Sequence, residues 1–198
     1  MANNPSRATA LPGILLLVAL AVLVSLGNWQ MRRLAWKLDL IDKVETRLGA
    51  DPVAPPGPAN WNGLDQDAID YRQVRLAGRY LDGETHVFTA LGDPKGRYGG
   101  PGYWVIVPFE TDEGWTVFVN RGFVPQDLKD PAKRPGSAAP SGIQTITGTI
   151  RHAETDGVSL EVEPEKNIWY RRDQAELAKA AGLKPDDVAP YTITSMRG

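Results

Sequence analysis

The chain contains no cysteine, which excludes disulfides, thiol catalysis and zinc–thiolate sites. Histidine is nearly as scarce: His86 and His152 are the only two, and neither has a second ligand at metal-binding spacing. Each reads either as a satisfied or surface side chain or as a heme or metal ligand. Net charge is −2, with no basic or acidic block, so nothing marks a nucleic-acid footprint. No Gly-x-Ser-x-Gly elbow is present, and the carboxylates are scattered without an acid–base pair. Lys95 is followed by glycine and lacks the phosphate-cradling pattern before it, so the glycine-rich stretch 91–102 reads as a long hairpin loop. One local absence organises the rest. Between Arg7 and Arg32 there is no ionisable side chain.

A bilayer core of about 30 Å takes about 20 helical residues at 1.5 Å each. Residues 8–30 supply that length, with Pro12 expected near the first turn, where its missing N–H costs little. Trp29 then falls at interface depth, and Arg32 and Arg33 follow as cations within reach of lipid head groups. Beyond them Leu34, Leu38, Ile41, Val44 and Leu48 recur on one helical face, until Gly49 and Pro52 stop the pattern. The expectation for residues 1–49 is a transmembrane helix that continues into an amphipathic stalk. A cleavable signal peptide ending at Ser25-Leu26-Gly27 is the rival reading. Charge leaves the topology open, because Arg32, Arg33 and Lys37 outweigh Arg7 plus the amino terminus by a single charge toward a cytoplasmic domain.

Residues 50–70 begin with four prolines in eight positions and read as a stiff linker. Residues 71–198 read as a β-rich domain. Period-two alternation predicts strands over 71–80, 85–90, 102–110, 115–124, 144–151, 157–162 and 191–194. Gly78 invites a bulge or bend, and Asp82-Gly83 predicts a tight hairpin. A second hairpin is expected across 111–114, between the two most apolar segments, which should be central strands. Residues 126–142 read as a long exposed loop. Asp173 caps a predicted helix over 173–181, and Gly182 stops it. The fold class is α+β and mainly antiparallel: a sheet or partly closed barrel of six to eight strands, one packed helix and an N-terminal transmembrane helix. Trp169, Arg171 and Arg172 place an aromatic beside cations. That mix suits either a recognition surface or a core aromatic followed by solvated charges.

Several stretches resemble the Surfeit locus protein family of cytochrome c oxidase assembly factors. They are Gly27-Asn-Trp-Gln-Met-Arg-Arg-Leu-Ala-Trp-Lys37, Tyr71-Arg-Gln-Val-Arg-Leu-Ala-Gly-Arg-Tyr80, Gly102-Tyr-Trp-Val-Ile-Val-Pro-Phe109, Val119-Asn-Arg-Gly-Phe-Val-Pro125, Thr147-Gly-Thr-Ile-Arg151 and Asn167-Ile-Trp-Tyr-Arg-Arg-Asp173. The resemblance implies a non-enzymatic factor for building a heme–copper oxidase, with transient heme a contact. It places the domain on the periplasmic side of a bacterial inner membrane, or at the mitochondrial inner membrane in a eukaryote. Implied partners are membrane lipid, the oxidase catalytic subunit and the heme synthase. The family's heme-contacting histidine sits in a second transmembrane helix, for which this sequence has no counterpart before Gly198. The chain is therefore a fragment or a member lacking that helix, and His86 and His152 do not match the family position. Expected partner contacts are Trp29, Gln30, Arg32 and Arg33 at the membrane exit, with Arg33 fitted to a propionate or carboxylate. Asn120, Arg121 and Gly122, expected to close a central strand, are candidates for contact or for holding a loop by carbonyl hydrogen bonds. The competing class is a tethered scaffold that binds protein only.

Overall fold

The structure, a computed structural model, describes residues 5–92, 96, 98–153 and 163–196. The expected strand over 157–162 and the phosphate-loop question at Lys95 lie outside these residues. Two units divide the chain, Met1–Thr46 and Arg47–Gly198.

The first unit is almost entirely the helix α1 (Pro5–Gly49), one unbroken element as the continuous apolar and then amphipathic pattern requires. Pro12 lies inside it and not in a first turn. A helix surrounded by lipid or neighbours tolerates that better than one in water. From Ile14 to Leu26 the large apolar side chains are all exposed, Leu16 at 71%. The helix that carries them, over Pro12–Gly49, is long and apolar enough to cross a membrane. Farther along, Lys43 pairs with Asp39 at 2.7 Å one turn away, a contact worth a few tenths of a kcal/mol at an exposed helix surface.

Among the described residues six strands build the second unit: β1 (Gln73–Tyr80), β2 (Thr85–Leu91), β3 (Gly100–Thr111), β4 (Thr116–Pro125), β5 (Gln144–His152) and β6 (Val188–Ser195). They are ordered β1-β5-β6-β4-β3-β2, and a further pairing of β1 with β3 closes five of them into a barrel with β2 outside. Every pairing is antiparallel except β4 with β6. Closure occurs at Gly78, which faces Gln144 of β5 on one side and Thr111 of β3 on the other.

Asp82-Gly83 does not make the expected hairpin. β1 and β2 are not paired with each other. Both run along the same edge of β3, β1 against residues 109–111 and β2 against 100–106. They amount to one long strand interrupted at 81–84, with Leu81 N–H still donating to the Pro108 carbonyl. The positive φ of Gly83, 91°, serves as a kink that carries the chain from barrel to outer strand. Pro108 fits the same switch. Its carbonyl faces this edge, so its missing N–H falls where β3 changes partner and no ladder bond is lost.

Side chains fill the barrel. Val74, Leu76, Phe109, Val117, Val119, Ile146, Ile150, Tyr191 and Ile193 meet inside, most of them fully buried. Alternate residues Ile106, Phe118 and Val188 face outward into a second cluster with Val87, Trp169, Leu177 and Ala178. β3 and β4 are thus apolar on both faces, which is why they read as nearly continuous hydrophobic runs. The helix α3 (Gln174–Ala180) belongs to that outer layer. Asp173 accepts from Ala175 and Glu176 N–H at 3.0 and 3.1 Å, and Gly182 ends it at φ 69°.

The proline-rich segment 50–70 is not a free linker. Val53 bridges Val74, and Pro56 offers its carbonyl to Tyr191 Oη at 2.6 Å and Trp61 Nε1 at 2.9 Å. Trp61 meets Trp115 edge-on at 5.8 Å. Burial pushes the Tyr191 phenol well above its usual range. With its short helix α2 (Gln66–Ile69), the segment caps one end of the barrel, and Ile69 enters the core. Prolines give it an extended path with few donors to satisfy, while the Pro56 carbonyl accepts both the Tyr191 and the Trp61 side-chain protons.

Candidate functional site

The residues singled out at the membrane exit lie on α1. Trp29 is exposed, and Arg33, one turn on, sets its guanidinium over the indole at 5.4 Å. Exposed cation–π pairs contribute about 0.5–1 kcal/mol. The pair presents a flat aromatic and a planar cation together, while Gln30 and Arg32 are exposed beside it.

Asn120, Arg121 and Gly122 lie within β4 and do not end it. Trp104 faces Phe123 and Ile106 faces Asn120, so Arg121 and Gly122 together oppose the single residue Val105. That is a β-bulge. Gly122 takes φ 118°, and its N–H donates to Asn120 Oδ1 at 2.9 Å, which explains an Asn two before a Gly. Ser195 Oγ donates to the Asn120 carbonyl at 3.2 Å, locking β6 to the bulge.

The bulge aims Arg121 sideways. Its guanidinium donates to the Ser137 and Ala138 carbonyls at 2.8 and 3.2 Å and lies over the Tyr80 ring at 5.4 Å. Burial pushes the Tyr80 phenol up, against the pull of Arg121. Arg121 thus holds the strap 126–142, the loop-holding role raised by the sequence. Between strap and bulge lies an open cleft of about 310 Å³, walled in part by Val105, Phe123 and Leu128. Losing the clamp in Arg121→Ala should cost the strap about 1–2 kcal/mol of local stability, making its open form five- to thirtyfold more populated. Limited trypsin digestion at Lys129 and Lys133 should accelerate accordingly.

A second cluster was not singled out in the sequence. Glu84 Oε1 contacts His86 Nε2 at 2.9 Å and is ion-paired with Arg134, both partner side chains being almost wholly buried. The Arg134–Glu84 pair ties the strap to the residue that precedes β2, and Arg134 also donates to the Lys129 carbonyl within the strap at 3.0 Å. Burial pulls the Glu84 carboxyl up, but hydrogen bonds from His86 and Arg134 prevail and hold it below the usual carboxylate range. Glu84 and His86, two apart, share one face of an extended segment, a signal the sequence does carry. Arg134, fifty residues away, it does not announce.

Trp169 is 5% exposed and sits in the outer core, its backbone bridging β2 through His86 and Phe88. Its ring is structural. Arg171 lies 3.5 Å from Glu176 on α3, and Arg172 is half-buried beside the helix cap. His152 is tied to Asp70, with Nδ1 at 3.4 Å and its backbone N–H donating to Oδ1 at 3.3 Å. Arg47, near the end of α1, donates to the carbonyls of Asp67 and Asp70 at 2.7 and 2.8 Å.

Heme a, implied by the resemblance, does not fit these residues. The His86 ring is buried with Nε2 against Glu84, His152 faces Asp70, and no histidine lines the cleft. Among the described residues no group of three His, Asp or Glu side chains is arranged to hold a metal ion.

A span-length apolar helix followed in the chain by a side-chain-filled barrel, with no catalytic constellation among the described residues, defines a β-barrel module with an N-terminal hydrophobic helix. The profile of the SURF1 family matches residues 17–197. Surfeit locus protein 1 of Xenopus tropicalis is 32% identical over 93% of this chain and 62% of its own length. The human protein of that name is 34% identical over 87% of the chain and 60% of its length. A SURF1-like protein of Caenorhabditis elegans is 29% identical over 87% of the chain. This chain belongs to the SURF1 family, and it spans about 60% of the length of the first two relatives.

Proposed function

We propose that this protein is a membrane-anchored assembly factor for cytochrome c oxidase, a heme–copper terminal oxidase, and that it works by holding a partner and not by turnover. The observation that carries the reading is the family match across 17–197, which takes in the exposed apolar helix and the barrel alike. α1 anchors in the inner membrane of a bacterium, or the mitochondrial inner membrane of a eukaryote, with the barrel on the periplasmic or intermembrane side. Exposed leucines and valines on every face of a helix are stable only where lipid or a partner covers them. Trp29, Gln30, Arg32 and Arg33 dock on the oxidase catalytic subunit or the heme synthase. Heme a is cargo of the oxidase under construction, and this factor assists its insertion by keeping the receiving subunit in place.

Arg33→Ala tests the docking step. It should reduce assembled oxidase and cellular heme a in the oxidase several-fold at unchanged levels of the factor, since a guanidinium–carboxylate contact contributes about 1.5–3 kcal/mol. Unchanged oxidase would discard the docking site. Purification of this chain from cells making heme a should yield no stoichiometric Soret band. A stoichiometric band would bring heme into the protein itself.

A further inference from the structure

We propose that the cleft beside Arg121 binds a carboxylate carried on an apolar body, supplied by an acidic side chain with hydrophobic neighbours in a partner protein. The proposal deepens the holding role and rests on that reading only for the source of the carboxylate. At about 310 Å³ the cleft falls at the lower end of small-ligand sites, which run from about 300 to 1,000 Å³. Its lining mixes the apolar Val105, Phe123 and Leu128 with the cationic Arg121, Lys133 and Arg134. Among the described residues no aspartate or glutamate lines it.

The three cations differ in what already answers them. Arg134 is paired with Glu84. Arg121 is already engaged, by the Ser137 and Ala138 carbonyls and the Tyr80 ring among others. Lys133 is exposed at the mouth, and its side chain has no partner among the described residues. Lys133, at the mouth of a part-apolar cleft whose described lining carries no carboxylate, favours an anion there, and the low-dielectric wall strengthens the attraction. A bare inorganic anion would leave the Phe123 wall wet. A carboxylate beside a hydrophobic group uses both kinds of lining at once. The site is also set in advance: the bulge is fixed by Asn120, and the strap by Arg121 and by the Arg134–Glu84 pair. Little ordering is then needed on binding.

The test is calorimetry on the full chain in detergent micelles with two blocked pentapeptides, Gly-Phe-Asp-Leu-Gly and its Asn counterpart. The Asp peptide should bind at least tenfold more tightly and weaken as NaCl is raised. Lys133→Glu should weaken it at least tenfold without moving the unfolding midpoint. Equal binding of the two peptides, full displacement by an equal concentration of inorganic phosphate, or unaltered binding in Lys133→Glu would each overturn the proposal. Peptide binding lost in Lys133→Glu with normal oxidase assembly in cells supports the carboxylate site and separates it from the holding role.

Discussion

Gly78→Ala should leave the barrel unable to close and the chain largely unfolded at 37 °C. A Cβ at that position would lie 2.1 Å from the Glu110 carbonyl oxygen, 2.7 Å from the Phe109 ring and 2.8 Å from the Thr111 Cα. Two of those three atoms are backbone of the strand that β1 must reach to complete the ring, so no rotamer change relieves the overlap. Moving β3 away would break the pairing that joins the two edges at Gly78, Arg79 and Tyr80. Overpacking a core costs about 1–3 kcal/mol where side chains can shift, and more where backbone must. Marginal domains hold only about 5–15 kcal/mol in total. Gly83→Ala is the matched comparison, because Gly83 has φ 91° but nothing within 4 Å of a built Cβ. It should cost only the conformational strain of a left-handed residue, about 1–2 kcal/mol. Urea unfolding of the two variants separates space from strain. Similar midpoints would show that closure at Gly78 does not limit stability.

That contrast also marks what the sequence could and could not reveal. Gly78, interrupting an alternating strand, announced a bend, and the structure puts the barrel's closing point there. The β3–β4 hairpin across 111–114 and the Asp173-capped helix were equally local, since turn chemistry and capping act within a few residues. Asp82-Gly83 misled because its positive φ serves a kink as well as a reversal. Only the partner strand, β3, decides between them. Burial on both faces of β3 and β4 was legible as apolar runs, whereas the parallel pairing of β4 with β6 was not, because register between segments seventy residues apart leaves no local mark. The same limit applies to the site. Asn120 and Gly122 could be spotted as a motif, but their bulge exists only in relation to Val105. The prolines at 52, 55, 56 and 58 suggested a stiff linker, whereas the contact that docks the segment, from Tyr191 Oη to the Pro56 carbonyl, comes from far along the chain.

The strap's inner anchor gives the second large effect. Arg134→Ala should destabilise the domain by about 2–3 kcal/mol, because it leaves the part-buried Glu84 carboxylate with only His86 beside it among the described residues. The loss comes less from the attraction itself than from the desolvated charge left behind, so Glu84→Gln combined with Arg134→Met should recover much of it. pH provides an independent check. Burial favours the protonated Glu84, but His86 and Arg134 outweigh it and keep the folded-state carboxyl below its unfolded value. A proton therefore binds the unfolded chain more readily, and the cluster's stabilisation is complete above the ordinary glutamate range, near about pH 4.3. It declines as pH falls through the depressed folded value. Wild-type protein should accordingly lose stability between about pH 5 and pH 3 more steeply than Glu84→Gln, with the two curves converging at the acid end. Parallel curves over that window would mean that Glu84 titrates alike in both states, and the buried network would then contribute no acid-sensitive stability.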